Sequence, residues 1–254
     1  MPPRRTDGLR AVLTSLWLVT GAMVASAGQP ALPDGYVHLS TIAPTIRQDM
    51  RYATTMNFTG APLPGYEAPA CILRKPVAEA LAKVQEVLSK EGLSLKVYDC
   101  YRPQRAVLAM HAWVGAAGDA PDHSPSMPNV RRRDVIKEGY IAKRSSHANG
   151  TAVDLTIMRI GGESTVPLAE PRACTEGPDD ESVDMGTAFD CFDPKAATEA
   201  TSLTSEQRQW RRRLVHEMGR QGFENYRREW WHFTFPGLAR RGDSDDFPIV
   251  AEPQ

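Results

Sequence analysis

The chain is organised around the stretch SSHANGTAVD, residues 145–154. Residues 152–157 (AVDLTI) are mostly apolar, which is typical of a buried strand. His147 precedes Asp154 by seven positions, an odd separation that places two side chains on opposite faces of a continuous strand. On a continuous helix the same separation amounts to about 10 Å along the axis. The chain must therefore bend for both side chains to reach one ion, and we expect the bend at the Asn-Gly step that ends at Gly150.

Asp154 is a carboxylate in an otherwise apolar strand, so it needs a cation close by, either a metal or an arginine. A second motif, EWWH at residues 229–232, supplies another imidazole at His232 and another carboxylate at Glu229. Two histidines and one aspartate form a ligand set for a catalytic zinc and leave the fourth position open for water. We therefore predict one Zn²⁺ per chain, held by His147, Asp154 and His232, with Glu229 as the general base and acid of a metal-assisted hydrolysis.

Other interpretations of these residues stay open at this stage. His232 lies in a run of aromatic residues and can instead be a core histidine bonded to the backbone. Ser145, His147 and Asp154 can instead form a nucleophilic triad. Residues this close in sequence rarely meet in triad geometry, however, and no nucleophile-elbow pattern surrounds either serine. The remaining histidines lack such a carboxylate context, so we expect surface or structural roles for His38, His111, His123 and His216.

Arg102 follows a predicted strand and precedes Pro103. One interpretation is a surface salt bridge with Asp99, which contributes little energy. In the functional interpretation, the guanidinium of Arg102 donates hydrogen bonds to the oxyanion that develops during hydrolysis. A preorganised donor at that position lowers the barrier by a few kcal/mol.

The apolar periodicity predicts helices and short strands without internal repeats or a βαβ series. Thr204 and Gln207 fit a capping box at the start of the last helix. The expected architecture is an α+β fold, with a small, mostly antiparallel central sheet flanked by helices in a single domain. We predict helices at 76–91, from 103 to about 114 and from 204 up to Gly222, strands at 93–98 (half-buried), 152–157 and 230–235, and irregular segments at 115–133 and 161–184.

The charges are nearly balanced, with 30 basic and 31 acidic side chains and a formal net charge of −1 over 254 residues. This balance and the shortness of the basic runs argue against nucleic acid as a partner. The run Arg211-Arg212-Arg213 lies within a helical pattern, so we predict a solvated face there.

Residues 1–27 have the pattern of a secretory signal peptide, with early arginines, a short apolar run and an A-x-A site ending at Ala27. The alternative is an uncleaved membrane anchor, but the apolar run is short for a membrane span. We therefore predict a mature domain of residues 28–254 that is periplasmic or secreted and has no membrane attachment after cleavage.

All four cysteines lie in the predicted mature chain, and an even number in an exported protein indicates disulfides. Three pairings are possible. We favour the one that is local in sequence, Cys71 with Cys100 and Cys174 with Cys191.

Taken together, the motifs resemble those of the zinc D-alanyl-D-alanine dipeptidases of the VanX type. The matching patterns are SSHxxGxAxD at 145–154, EWWH at 229–232 and YRP at 101–103, with YAT at 52–54 followed by NFTG at 57–60, and MG at 185–186 followed by FD at 189–190. The resemblance covers about residues 36–235 in the family's order. The shorter pair of patterns SxHxxGxAxD and ExWH alone would also fit related D,D- or L,D-carboxypeptidases and endopeptidases.

The resemblance implies the same three zinc ligands, with Glu229 as base and acid and Arg102 as transition-state stabiliser. It further implies that Tyr52, Ser145 and Asp190 surround a bound dipeptide, with Asp190 near the free ammonium. A carboxylate at that end favours dipeptides, because a longer peptide has a neutral amide there.

We therefore expect an exported zinc metallopeptidase that hydrolyses D-Ala-D-Ala to two molecules of D-Ala. The expected partner is this small D,D-dipeptide, and the sequence indicates no oligomeric state. One alternative is a D,D-carboxypeptidase that acts on peptidoglycan stem peptides. Another is a non-catalytic zinc-binding module that recognises wall peptides.

Overall fold

The computed structural model describes residues 31–116, 123–161, 173–238 and 244–252. These described residues, from Ala31 onward, belong to one compact unit. The predicted signal peptide at 1–27 lies outside the described residues. Within the described residues, no helix is long and apolar enough to cross a membrane.

The described residues form seven strands and four helices. The strands are β1 (Tyr36–His38), β2 (Arg47–Gln48), β3 (Ile72–Arg74), β4 (Leu93–Asp99), β5 (Ala152–Arg159), β6 (Glu224–Asn225) and β7 (His232–Thr234). The helices are α1 (Leu39–Ile42), α2 (Lys75–Ser89), α3 (Gln104–Gly115) and α4 (Ser205–Arg220).

Five strands form one sheet in the order β2-β4-β5-β7-β6, in which only the β2–β4 pair is parallel. β1 and β3 form a separate antiparallel pair. Helix α2 packs on β4, and α4 packs on β5. The predicted α+β fold with a mostly antiparallel sheet is confirmed.

Strand β4 is more deeply buried than predicted. Its sequence alternates apolar and polar residues, which indicates one solvated face, yet all seven of its residues are buried. The polar face is covered because Lys96 Nζ lies 2.7 Å from the carboxylate of Asp180 and the ring of Tyr98 stacks on Phe189 at 4.6 Å between centroids. The segment that follows β5 thus covers this face of β4 with the charged residue Asp180 and the aromatic residue Phe189. The alternation of residues within β4 does not reveal this cover.

Helix α4 begins at the predicted capping box. The hydroxyl of Thr204 accepts a hydrogen bond from the Gln207 backbone N–H at 3.2 Å, and the Gln207 side chain accepts one from the Thr204 N–H at 2.9 Å. The prediction of a solvated face is wrong for Arg211, which is only 1% exposed. Its guanidinium donates to the backbone carbonyls of Met185, Lys195 and Ala197. These three residues lie outside the strands, and their carbonyls accept from Arg211.

Two disulfides join Cys71 to Cys100 and Cys174 to Cys191, as predicted. The first links the residue before β3 to the residue after β4. The second closes the segment that covers β4.

The last strand is shorter than predicted, because β7 begins only at His232. Trp230 and Trp231 precede it in a turn and are buried. The indole N–H of Trp230 donates to Thr187 Oγ1 at 2.7 Å. The side chain of Trp230 thus bonds outside the sheet, and the ladder of β7 starts two residues later than predicted.

Candidate active site

Three elements bring the two histidines and the aspartate of the sequence motifs together. His147 lies on a 3-10 turn, Ser146–Asn149, and Gly150 turns the chain into β5 with a positive φ of 70°. A Cβ at Gly150 would collide with the Tyr36 ring, so glycine is required here for space as well as for conformation. Asp154 on β5 lies directly opposite His232 on β7. The predicted loop, bend and strand are all present.

The three side chains point at a common centre. Asp154 Oδ1 lies 2.9 Å from His232 Nδ1 and 3.3 Å from His147 Nε2, and the two ring nitrogens lie 3.1 Å apart. All three atoms fall within 4.8 Å of one another. Two imidazole nitrogens and one carboxylate oxygen form the donor set of a catalytic zinc site.

The tautomer of His147 fits metal binding. Its Nδ1 lies 2.6 Å from the backbone carbonyl of Cys100. A carbonyl only accepts, so Nδ1 carries the hydrogen and Nε2 keeps a free lone pair directed at the cluster. A metal-bound histidine commonly donates its other nitrogen in this way, which fixes the ring and increases its basicity.

The alternatives for these residues receive no support from the geometry. The Ser145 hydroxyl accepts a hydrogen bond from the backbone N–H of His147 at 3.3 Å, whereas the His147 ring contacts Asp154 and His232 instead. No nucleophilic triad is therefore formed among these residues. His232 contacts Asp154 through a side-chain nitrogen rather than serving only as a core histidine. In the described part of the chain, the remaining histidines lie outside this cluster.

Glu229 lines the same cavity as the three ligand candidates. It is 8% exposed, and its carboxylate makes no hydrogen bond or ion pair with any described residue. Burial, followed by the negative charges of Asp154 and Asp190, raises the pKa of Glu229 well above its usual value. A carboxylate in this setting can accept a proton near neutral pH.

Arg102 is fixed at the cavity by Asp99. Its Nε and one terminal nitrogen both lie 2.8 Å from Asp99 Oδ2, and that terminal nitrogen lies 3.5 Å from Asp154 Oδ2. The guanidinium also lies over the Tyr52 ring at 4.9 Å. The predicted ion pair with Asp99 exists, but it is not a surface pair, because the side chains are 12% and 0% exposed.

Tyr52 and Asp190 form a buried pair at one end of the cavity. The Tyr52 hydroxyl donates to Asp190 Oδ2 at 2.7 Å. Burial raises the pKa of Asp190 to about 7; the hydrogen bond from Tyr52 opposes this shift and the charge of Asp154 adds to it.

Asp190 has a φ of 56°, in the left-handed region. Non-glycine residues adopt this conformation at a cost of about 1 kcal/mol, and it often marks functional positions.

Ser145 also lines the cavity, which has a volume of about 250 Å³. All eight residues predicted from the sequence line it: Tyr52, Arg102, Ser145, His147, Asp154, Asp190, Glu229 and His232. The volume suits a very small substrate, since drug-sized ligands occupy pockets of about 300–1,000 Å³.

Comparison with known proteins identifies the family. The family model described as D-ala-D-ala dipeptidase, of peptidase family M15, matches residues 33–168 and 176–250. This chain belongs to that family. It is 34% identical over 215 residues to a D-alanyl-D-alanine dipeptidase of Enterococcus faecium, covering 85% of this chain and 98% of the relative. A Streptomyces coelicolor protein of the same name is 34% identical over 205 residues, covering 81% and 93%, and one of Escherichia coli is 28% identical over 216 residues, covering 85% and 89%.

Membership of the M15 family confirms the resemblance seen in the motifs and makes this chain a peptidase. The interval between the two matched segments, 169–175, falls within the irregular segment predicted at 161–184. It includes Cys174, one end of a disulfide. One end of this disulfide therefore lies outside the segments that match the family model.

Asp99 and Tyr66 support the cavity from behind its lining, since Asp99 pairs with the lining residue Arg102 and Tyr66 bonds to Asp99, but the sequence did not single them out as site residues. Asp99 pairs with Asp154 across β4 and β5, beside a bulge in β4, and its Oδ1 accepts a hydrogen bond from the Tyr66 hydroxyl at 2.6 Å. The available signal was the aspartate three residues before Arg102, at the end of a predicted strand. Nothing local to Tyr66 indicated its position.

Proposed function

We propose that this M15 peptidase is an exported zinc dipeptidase that hydrolyses D-Ala-D-Ala to two molecules of D-Ala. The observation that carries the proposal is the convergence of His147 Nε2, His232 Nδ1 and Asp154 Oδ1 within 4.8 Å, in a cavity that also contains Glu229. The names of the relatives support the choice of substrate.

His147, Asp154 and His232 would hold one zinc ion per chain. The donor set suits zinc, and the His147 tautomer set by the Cys100 carbonyl leaves the correct nitrogen free. Bound zinc supplies a Lewis acid and lowers the pKa of water.

Glu229 acts as the general base and then as the general acid. It takes a proton from the attacking water and delivers it to the amine that leaves. Two features suit it to this work: its carboxylate is engaged by no described residue, and burial raises its pKa, which makes the carboxylate a stronger base than that of an ordinary glutamate.

Arg102 stabilises the oxyanion that forms on the scissile carbonyl. Its guanidinium is held in place before the substrate arrives, because Asp99 Oδ2 accepts from two of its nitrogens at 2.8 Å. A donor that needs no reorganisation during the reaction is worth about 3–4 kcal/mol of barrier.

Asp190 and Tyr52 receive the ammonium of the dipeptide, and Ser145 lines the same cavity. An ammonium next to Asp190 gains a charge-assisted hydrogen bond, whereas the amide of a longer peptide gains none of that charge and needs more space. This difference favours a dipeptide over a stem peptide.

Export rests on residues 1–27, the predicted signal peptide, and places the mature domain in the periplasm or outside the cell. The two disulfides support this location, because such crosslinks persist in oxidising compartments. Expression of the full chain with fractionation tests it, and a mature N-terminus at Gly28 is the expected result.

A hydrolysis panel tests the activity. Zinc-loaded protein is assayed on D-Ala-D-Ala, L-Ala-L-Ala and a stem pentapeptide ending in D-Ala-D-Ala, with and without a chelator. We expect cleavage of D-Ala-D-Ala alone, lost on chelation and in Glu229→Gln, and retained in Glu86→Gln, which alters an exposed glutamate of α2. Cleavage of only the pentapeptide would favour a D,D-carboxypeptidase, and zinc binding without hydrolysis would favour a recognition module.

A further inference from the structure

The cavity contains two arginines among its described lining residues, and they differ in their surroundings. Arg102 is paired with Asp99 and lies close to Asp154. Arg144 lines the same cavity, is exposed, and its guanidinium makes no hydrogen bond or ion pair with any described residue. Arg144 is therefore the lining cation that is free to bind an incoming anion.

The position of Arg144 sets it beside the proposed reaction centre. It immediately precedes Ser145, which caps the 3-10 turn that carries His147. The turn is anchored by two contacts, since His147 Nδ1 donates to the Cys100 carbonyl at 2.6 Å and the Arg102 N–H donates to the His147 carbonyl at 3.1 Å. The backbone that presents Arg144 is thus fixed, although its side chain extends into solvent.

A second cation in the lining favours binding of a zwitterionic substrate. The proposed zinc and Arg102 would act at the reaction centre, and Arg102 is already paired with Asp99. The acidic side chains Asp154, Asp190 and Glu229 also line the cavity and repel a free carboxylate. Pairing with a guanidinium offsets this repulsion, and its planar, two-pronged geometry matches a carboxylate. Asp190 is buried and Arg144 is exposed, so the cavity offers an anion for the ammonium of a dipeptide and a cation for its carboxylate.

We propose that Arg144 binds the terminal carboxylate of the peptide substrate. The inference rests on the proposed function and adds to it the residue that requires a free carboxyl end. Together with Asp190, Arg144 restricts the substrate at both ends, so that amides and esters of the same dipeptide bind poorly. Because Arg144 is exposed, its contribution is reduced by salt.

The test compares two substrates in three zinc-loaded proteins. The proteins are the wild type, Arg144→Gln and the control Lys143→Gln, which changes an adjacent exposed cation outside the cavity lining. The substrates are D-Ala-D-Ala and its C-terminal amide. For D-Ala-D-Ala, we expect Arg144→Gln to raise KM about 10-fold with kcat within about 2-fold of the wild type, and Lys143→Gln to match the wild type. For the amide, all three proteins should have the same KM.

Two further measurements make the result specific. Arg144→Lys should recover part of the lost affinity, because it restores the charge but not the two-pronged geometry. Added salt should raise the KM of the wild type for D-Ala-D-Ala more than that of Arg144→Gln.

An unchanged KM in Arg144→Gln, or an equal increase for the dipeptide and its amide, would overturn the assignment while leaving the proposed activity intact. A wild-type protein that does not cleave D-Ala-D-Ala would overturn the proposed function and this inference with it.

Discussion

Asp154 and His232 are register partners in the antiparallel pair β5–β7, and Asp154 Oδ1 lies 2.9 Å from His232 Nδ1. Directly opposite residues project from the same face of a sheet about 5 Å apart. A slip of one residue would turn the whole strand over and separate the two groups. The sheet register therefore fixes the relative positions of two proposed ligands, Asp154 and His232. The turn before β5 positions the third, His147.

Removing one proposed ligand should abolish stoichiometric zinc binding. In Asp154→Ala, two imidazoles remain, and the zinc affinity should fall by more than the roughly 10- to 100-fold that follows loss of a supporting contact. Zinc content after dialysis measures this, with one ion per chain expected in the wild type. Asp246→Asn, which alters an exposed ion pair with Arg105, should keep full zinc content, and a loaded Asp154→Ala protein would refute the ligand set.

The Cys71–Cys100 disulfide should matter for zinc as well as for stability. Replacing both cysteines by serine removes a crosslink between residues separated by 29 positions, which should lower the free energy of unfolding by about 3–4 kcal/mol. It also loosens the backbone whose carbonyl, at Cys100, accepts from His147 Nδ1. We expect zinc affinity to fall by about 10-fold or more.

The Cys174–Cys191 pair is the matched control for that experiment. Its replacement should lower stability by about 3 kcal/mol but leave zinc affinity unchanged, since neither cysteine contacts a proposed ligand. Because Cys191 adjoins Asp190, the KM for D-Ala-D-Ala should rise instead. Equal loss of zinc affinity in both double variants would mean that general destabilisation, not the Cys100 carbonyl, is responsible.

Asp190 should give the chelator-treated protein a characteristic pH dependence of stability. Its pKa of about 7 in the fold exceeds that of an unfolded aspartate, about 4. The folded state thus binds the proton more tightly, and the stability from this group is fully present below about pH 4 and is lost as the pH rises to 7, with a slope of at most about 1.4 kcal/mol per pH unit. Asp190→Asn should remove this decline.

Urea unfolding between pH 4.5 and 7.5 measures the effect of Asp190 as the difference between the wild type and Asp190→Asn. This difference isolates Asp190 from its charged and titratable neighbours, which are Tyr52, Asp99, Arg102, Asp154 and Glu229. Asp34→Asn, at an exposed position, serves as the control. Parallel pH profiles for the wild type and Asp190→Asn would show that Asp190 does not titrate in this range.

Arg211 should contribute substantially to stability despite lying in a run of three arginines. Arg211→Met removes the donors to the carbonyls of Met185, Lys195 and Ala197, and buried acceptors left without a partner cost about 1–3 kcal/mol each. We expect the free energy of unfolding to fall by about 3 kcal/mol. Arg212→Met, at an exposed neighbour, should change it by less than about 0.5 kcal/mol, and similar values for both variants would contradict the account.

The features predicted correctly from the sequence are those that short stretches specify. The glycine bend before Asp154 and the capping box of α4 each depend on a few neighbouring residues, and the disulfides join cysteines that are consecutive along the chain. The buried charges were not predictable in this way. Lys96 and Arg211 look like solvated residues because their partners, Asp180 and the carbonyls near Met185, come from distant parts of the chain.

Asp99 illustrates the same limit within the site. Pairing with Arg102 was one of two interpretations of the sequence, and that interpretation placed the pair at the surface. Burial of the pair follows from the β4–β5 register, which sets Asp99 opposite Asp154, and from Tyr66, which donates to Asp99 across 33 positions of chain. Neither relationship can be read from the residues around Asp99.

The most direct test of the proposed zinc site is anomalous diffraction at the zinc edge from crystals of the zinc-loaded protein. We predict one strong peak per chain, about 2.0–2.2 Å from His147 Nε2, His232 Nδ1 and a carboxylate oxygen of Asp154. Glu229 should lie beside the zinc ion without binding it. A stoichiometric peak elsewhere in the protein, with the three ligand side chains uncoordinated, would contradict this prediction.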